Sequence, residues 1–259
     1  MTTITLDRIK QLVPGEYVTY LNEECFEPVL KQDKVTGEIL DTDGGIVPKC
    51  LLNEVLGLNA VNLTPKGILL DYTGKIVADK GYLGLLDANN IELAFQKIQD
   101  SSFVKFTSID DLLSSQVLYV DVTTDIEVED KAKTLYAISY YSELNRKCNV
   151  KKYNTSGLLF PHISKSHKDS LVIYDKQKQL ATLNRNGDSA YIQTIGLDTL
   201  EKKKNVLRVE RHIGKFADMR SAFELNQKVI TLNDVLYTDK NPVASKFEEV
   251  VGMKNAEVF

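Results

Sequence analysis

The stretch Val206-Leu207-Arg208-Val209-Glu210-Arg211-His212-Ile213 decides the fold, because its two sides differ in polarity along its whole length. In an extended chain Arg208, Glu210 and His212 fall on one side. Leu207, Val209 and Ile213 fall on the other, and the alternation turns Arg211 toward that apolar side. Residues 118–126 repeat the pattern, with Leu118, Val120, Val122 and Ile126 set against Tyr119, Asp121, Thr123 and Asp125. Two such strands predict an antiparallel sheet packed on one face. If they are neighbours, their polar faces bring Asp121 near Glu210 and His212.

Around these strands the chain reads as mixed β and α. Shorter strands are expected at 157–162 and 170–175, and helices near 129–144, 176–183 and 216–225. The 129–144 helix has Ala132, Leu135, Tyr136, Ser139 and Leu144 near helical spacing, and the 216–225 helix sets Phe216, Met219 and Phe223 on one side. Asn90 is placed to cap a helix with Ile91, Phe95 and Ile98 on one face, and Ser108 with Asp111 forms a capping-box-like start. Residues 67–72 and 75–78 flank Thr73-Gly74 and read as a β-hairpin. Turn signals at Thr36-Gly37 and Asp43-Gly44-Gly45 mark the first 65 residues as short strands and loops. The expected class is α+β, a central antiparallel sheet flanked by helices.

The chain has 259 residues, 43% of them hydrophobic and 26% charged, enough for a substantial core and unlike a disordered segment. Cys25, Cys50 and Cys148 are too few and too scattered for a disulfide framework or a zinc site. The opening MTTITLDRIKQLVPG carries no secretory pattern, and no apolar run is long enough to span a bilayer, so a cytoplasmic protein is expected. The net charge of -4 hides an asymmetry. Residues 1–150 carry 14 Lys/Arg against 23 Asp/Glu, whereas residues 151–230 carry 15 against 8. A basic block in an acidic chain is what contact with phosphate requires, although a solvated surface can look the same.

The chemistry-bearing residues gather in that basic block and on the aspartate strand. Tyr174 in Ser170-Leu171-Val172-Ile173-Tyr174-Asp175-Lys176 is a candidate nucleophile. In a strand continued to 176, Lys176 shares its side and can lower the phenol pKa or neutralise a phosphate. Asp121, Glu210 and His212 are oxygen and imidazole donors suited to Mg2+ or Mn2+. Lys165, Ser166, Lys168, Arg208 and Arg211 are the expected strand contacts, Arg211 against its own alternation. Each feature also has an ordinary explanation in half-exposed strands. His162 and His167 do not form a His-hydrophobe-His pair, and no phosphate-binding glycine loop is present.

Three segments, LYVDVTTDIEV (118–128), SHKDSLVIYDKQKQL (166–180) and VLRVERHIGKFADMRSAFEL (206–225), resemble in order and spacing the gene II-type replication initiators of filamentous phages and related rolling-circle plasmid initiators. ITLNDVL (230–236) and LGLLDANNIELAFQKI (83–98) are similar to flanking segments of that family. The resemblance implies an HUH-endonuclease-like nickase fold, with 1–65 as accessory strands and loops, 66–236 as the catalytic domain and 237–259 as a tail. It implies a metal-dependent enzyme in which Tyr174 is the nucleophile and Lys176 its cationic neighbour. Asp121 and Glu210 become metal-site or structural carboxylates and Arg208 a phosphate contact, while His212 rests on strand geometry alone. The implied partners are single-stranded or supercoiled origin DNA and a host helicase and polymerase. The alternative is a non-catalytic DNA-binding replication regulator on the same fold.

Overall fold

The computed structural model describes residues 4–28, 31–32, 39–40, 46–48, 55–145, 149–153, 156–162, 164–186 and 189–252. The turn signals at Thr36-Gly37 and Asp43-Gly44-Gly45, and Cys50 and Cys148, lie outside them. The strands are β1 (Thr5–Pro14), β2 (Val18–Leu21), β3 (Phe26–Pro28), β4 (Lys31–Gln32), β5 (Ile39–Leu40), β6 (Ile46–Pro48), β7 (Leu58–Thr64), β8 (Gly67–Thr73), β9 (Val104–Phe106), β10 (Gln116–Glu127), β11 (Lys151–Tyr153), β12 (Gly157–Phe160), β13 (Asp169–Asp175) and β14 (Val206–Ile213). The helices are α1 (Ile91–Asp100), α2 (Ile109–Ser114), α3 (Lys131–Leu144), α4 (Lys176–Arg185), α5 (Ser189–Ile195), α6 (Asp198–Lys202), α7 (Phe216–Ala222), α8 (Leu232–Leu236) and α9 (Pro242–Val251).

Ten strands form one antiparallel sheet in the order β11-β12-β13-β14-β10-β1-β8-β7-β6-β3. The architecture is α+β, as the alternating strands predict. β14 runs from 206 to 213 and pairs with β10 so that Asp121 lies opposite His212, Thr123 opposite Glu210 and Asp125 opposite Arg208. On its other side β14 pairs with β13, where Tyr174 lies opposite Arg208. Directly opposed residues share a sheet face, so these side chains form one polar surface.

The opposite face carries the core. Val120, Val122, Leu171, Ile173, Leu207, Val209 and Ile213 are all buried, and α9 packs over β10, β13 and β14. Helix α9 has strong end signals: Asn241 caps it by accepting from the Ala244 amide, Pro242 occupies the first turn and Gly252 closes it at φ 75°. It buries Val243, Phe247, Val250 and Val251, so residues 242–251 belong to the core and not to a tail. The proposed break at residue 65 also fails to follow the sheet, because β1 sits between β10 and β8.

Three local expectations are corrected. The hairpin joins β7 to β8 around Pro65-Lys66, with Thr64 paired to Gly67, while residues 74–77 form a 3-10 turn. Pro65 presets the turn backbone, and Gly74 serves close approach: an added Cβ would lie 2.3 Å from the Gly84 carbonyl oxygen. In α3 the buried residues are Leu135, Ile138, Ser139 and Ser142, whereas Tyr136 and Leu144 are exposed. Asn90 precedes α1 as expected but makes no side-chain cap, its Oδ1 accepting from the Asp87 amide instead. Ser108 does cap α2, accepting from the Asp111 amide. Among the described residues no helix is long and apolar enough to cross a membrane.

Candidate active site

Tyr174 stands near the end of β13, where the chain turns at once into α4. The switch is made by Asp175, whose carboxylate caps α4 by accepting from the Lys178 amide at 3.1 Å and pairs with Lys131 at 2.7 Å. The strand therefore stops at Asp175, and Lys176 is the first helical residue. Lys176 still reaches the tyrosine, with Nζ 5.7 Å from the ring centroid, and it is 4% exposed. Its ammonium donates to Gln179 Oε1 at 2.7 Å.

The Tyr174 hydroxyl donates to Glu210 Oε1 at 2.6 Å. Glu210 is nearly buried, one strand away, opposite Val172 and Thr123. Burial pushes the phenol far above its ordinary range, and the Glu210 charge pushes it further, with Arg208 pulling against both. Lys176 does not supply the pKa lowering expected of it; desolvation and Arg208 instead pull its own pKa down to about 8. Glu210 is raised by burial and by Asp7, against the opposing pull of Tyr174, Lys176 and Arg208. The pair is thus a phenol that resists ionisation beside a glutamate of raised basicity.

Asp7 was not foreseen. It is the extra residue of a bulge between Leu6 and Arg8 in β1, and its carboxylate comes 3.5 Å from Arg208 Nη1. Arg208 is 1% exposed and forks onto Asp125, Nε to Oδ1 at 2.6 Å and Nη2 to Oδ2 at 3.1 Å. Lys203 closes on the same carboxylate at 3.1 Å. The expected phosphate contact is therefore a buried ion pair under the site, because its whole fork is matched by carboxylates of β10 and β1.

The expected metal donors come together in a different way. His212 Nδ1 bonds to Asp121 and lies 3.2 Å from the Tyr119 hydroxyl, while Nε2 is 3.9 Å from Glu210 Oε2. Burial pulls the imidazole down, but Asp121, Glu210 and Asp7 together raise it above its ordinary value. Asp121 and Glu210 are not opposed: Glu210 faces Thr123, one register step away, and the histidine stands between them. Among the described residues no three His, Cys, Asp or Glu side chains converge to hold a metal ion. The donors are of the right kind for Mg2+ or Mn2+, yet in this arrangement they satisfy one another and do not fit a shared ion.

The remaining strand contacts separate. Arg211 is buried on the apolar face, bonded to Asp169 at 2.8 and 3.0 Å and to the Pro242 carbonyl at 2.8 Å, with Lys246 also on Asp169 at 3.1 Å. It anchors α9 and cannot meet a strand on the polar face. Lys165, Ser166 and Lys168 are exposed in the loop before β13. That loop is held by Ser164, which accepts from the Ser166 and His167 amides at 3.3 and 3.1 Å, and by buried Asp218, which takes His167 Nδ1 and the Lys168 amide, each at 2.7 Å.

No protein-family model matches the chain, and no curated protein matches it. Among solved structures it is similar to a rolling circle replication initiator protein from Geobacillus stearothermophilus, 14% identical over 98% of each chain, at a TM-score of 0.34. A likeness that distant assigns no role to any residue.

Proposed function

We propose that this chain is a site-specific single-strand DNA endonuclease and strand transferase that starts rolling-circle replication. The observation that carries the reading is the Tyr174 hydroxyl donating to Glu210 at 2.6 Å beside the buried ammonium of Lys176. A phenol this hard to ionise needs a base at its oxygen, and Glu210 is in place. Tyr174 Oη attacks the nick-site phosphorus and its proton passes to Glu210 Oε1. The P–O3′ bond breaks and the departing oxygen takes a proton from water. The products are a 5′-phosphotyrosyl link and a free 3′-OH that primes a host polymerase, with a host helicase opening the duplex in the host cytoplasm. Reversal closes the circle, and Lys176 offsets charge on the phosphate in both directions.

The test uses labelled single-stranded oligonucleotides tiled over the DNA flanking the gene, with Mg2+, Mn2+ or EDTA in parallel. The expected result is a covalent protein–DNA band in the wild type that Tyr174→Phe removes. Burial of the Tyr174–Glu210 pair, and full engagement of Arg208 by carboxylates, favour one rival: a DNA-binding replication regulator without catalysis. Strand binding with no band under any of the three conditions establishes that rival.

A further inference from the structure

The polar face does not end at His212. One strand further, the partly exposed ring of Tyr119 has Arg8 Cζ 5.6 Å and Lys168 Nζ 4.8 Å from its centroid. These cations come from distant parts of the chain, β1 and the loop before β13. Arg8 is fixed by a fork onto Asp71, Nε to Oδ1 at 2.8 Å and Nη2 to Oδ2 at 2.7 Å, and Lys10 reaches the same carboxylate at 2.9 Å. Both side chains remain about a third exposed, 35% and 36%. On the other flank Gly214 lets Lys168 lie down against the ring: an added Cβ would sit 2.5 Å from Lys168 Cδ and 3.0 Å from Tyr119 Cδ2. The Gly214 amide also donates to the Lys168 carbonyl at 2.8 Å.

Three cations thus meet one aromatic ring and two buried carboxylates, Asp71 beside Arg8 and Lys10 and Asp121 beside the ring, on a partly exposed surface. Solvated lysines and arginines normally spread apart, since convergence costs Coulomb energy. Here a bidentate fork, a capped loop and a glycine hold them together, and a positive excess remains. An aromatic ring, a guanidinium plane and flanking ammonium groups are what an unpaired nucleotide requires: a flat surface for the base and cations for the phosphates.

We propose that Arg8, Lys10, Tyr119 and Lys168 form a platform for single-stranded DNA, placed along the sheet from Tyr174. A base stacks on Arg8 and Tyr119, and the phosphates on either side meet Lys10 and Lys168. The proposal rests on the reading that the chain handles unpaired DNA, and it does not depend on cleavage.

The experiment measures binding of a fluorescent oligothymidylate by anisotropy across a salt series, in the Tyr174→Phe background so that cleavage cannot intervene. Lys10→Gln with Lys168→Gln is expected to weaken binding and to reduce the log–log salt slope by about 1.4, since each phosphate contact on a single strand contributes roughly 0.7. Arg8→Lys keeps the charge and loses the plane, so affinity is expected to fall with little change in slope. Thermal melts show which variants are folded, and Lys10→Gln alone, at an exposed side chain, carries the test if another fails. An unchanged slope in folded variants overturns the platform. Equal loss for a duplex of the same length overturns its preference for single strands. If the wild type never forms a covalent band but the slope still drops, nicking fails and the platform stands. If the band forms and the slope does not move, the platform fails and nicking stands.

Discussion

Tyr174 and Tyr119 occupy the same face of one sheet, on the two strands that flank β14, and the groups around them differ. Tyr174 lies just before the start of α4, with a carboxylate on its hydroxyl and a buried ammonium at its ring. Tyr119 is partly exposed, with its hydroxyl toward an imidazole and the Asp121 carboxylate and two cations at its ring. Burial raises both phenols, and the groups around them separate the two ends. Under α4, desolvation raises Glu210 and lowers Lys176, which makes a proton acceptor beside a cation that can lose its charge. In the open, Arg8 meets an Asp71 whose two cations hold its carboxyl below the ordinary range despite burial, and charge simply persists. The sheltered end suits bond-breaking, and the open end suits holding a polyanion.

The comparison breaks most cleanly at the nucleophile. Tyr174→Phe is expected to reduce covalent adduct to background while oligothymidylate affinity stays within about twofold, because only one hydroxyl is removed from a ring that remains packed. A persistent adduct moves the nucleophile elsewhere, and a collapse in affinity merges the two ends into one binding site.

Glu210→Gln keeps the shape and removes the base. Single-turnover adduct formation is expected to slow by about 10²- to 10⁴-fold, the usual range for a positioned base. The wild-type rate should rise with pH through a midpoint above that of an ordinary glutamate, since only the carboxylate accepts the proton and its pKa is raised. Loss of that rise in Glu210→Gln supports the role, and parallel profiles remove it.

The other face supplies the control. Arg211→Ala leaves Asp169 buried without its fork, a change that typically costs about 3–5 kcal/mol. At about 2–4 °C per kcal/mol for a chain of this size, the melting temperature should drop by roughly 6–20 °C. The salt slope of strand binding should not move in the folded fraction. A reduced slope would place Arg211 at the DNA after all.

How far these roles were legible depends on what each residue's neighbours do. β14 was readable to the residue, and its alternation already turned Arg211 inward. β1 was hidden by its own bulge. Leu6, Ile9 and Val13 are buried at helix-like spacing because Asp7 is an extra residue, so neither the central position of β1 nor the cluster of Asp7, Arg8 and Lys10 showed in the pattern. Gln11 adds to the disguise, a buried polar residue facing the core that accepts from the Tyr72 hydroxyl at 3.0 Å. Helix α9 falls in the segment expected to be a tail, although Asn241, Pro242 and Gly252 mark its ends. Arg208 was misjudged for a different reason: alternation places a side chain on a face without saying which carboxylates wait there.

The smallest expected effect is the most specific to the difference between the ends. The Lys176 ammonium is 5.7 Å from the centre of the Tyr174 ring, and a unit charge about 6 Å from a developing phosphate charge contributes about 0.7–3 kcal/mol for effective dielectric constants of about 80 to 20. Lys176→Met should therefore slow nicking by about 3- to 100-fold while keeping the aliphatic packing under α4. Its pH signature follows from the lowered pKa. As pH rises past about 8 the wild-type ammonium loses its proton and its help, so the nicking rate turns down on the alkaline side. Together with the rise through Glu210 this gives a bell, and in Lys176→Met the alkaline limb should vanish while the acid limb stays. The same shift has a second readout. The folded lysine releases its proton near 8 and the unfolded one near 10.5, so between those values the unfolded chain holds more protons and folding stability gains from rising pH. Lys176→Met should remove that gain, and denaturant titrations on either side of the window measure it. An alkaline limb that survives the substitution assigns the downturn to another group. A lost limb with unchanged stability in the window means that Lys176 titrates only with DNA bound, and its perturbation then belongs to the complex, not to the fold.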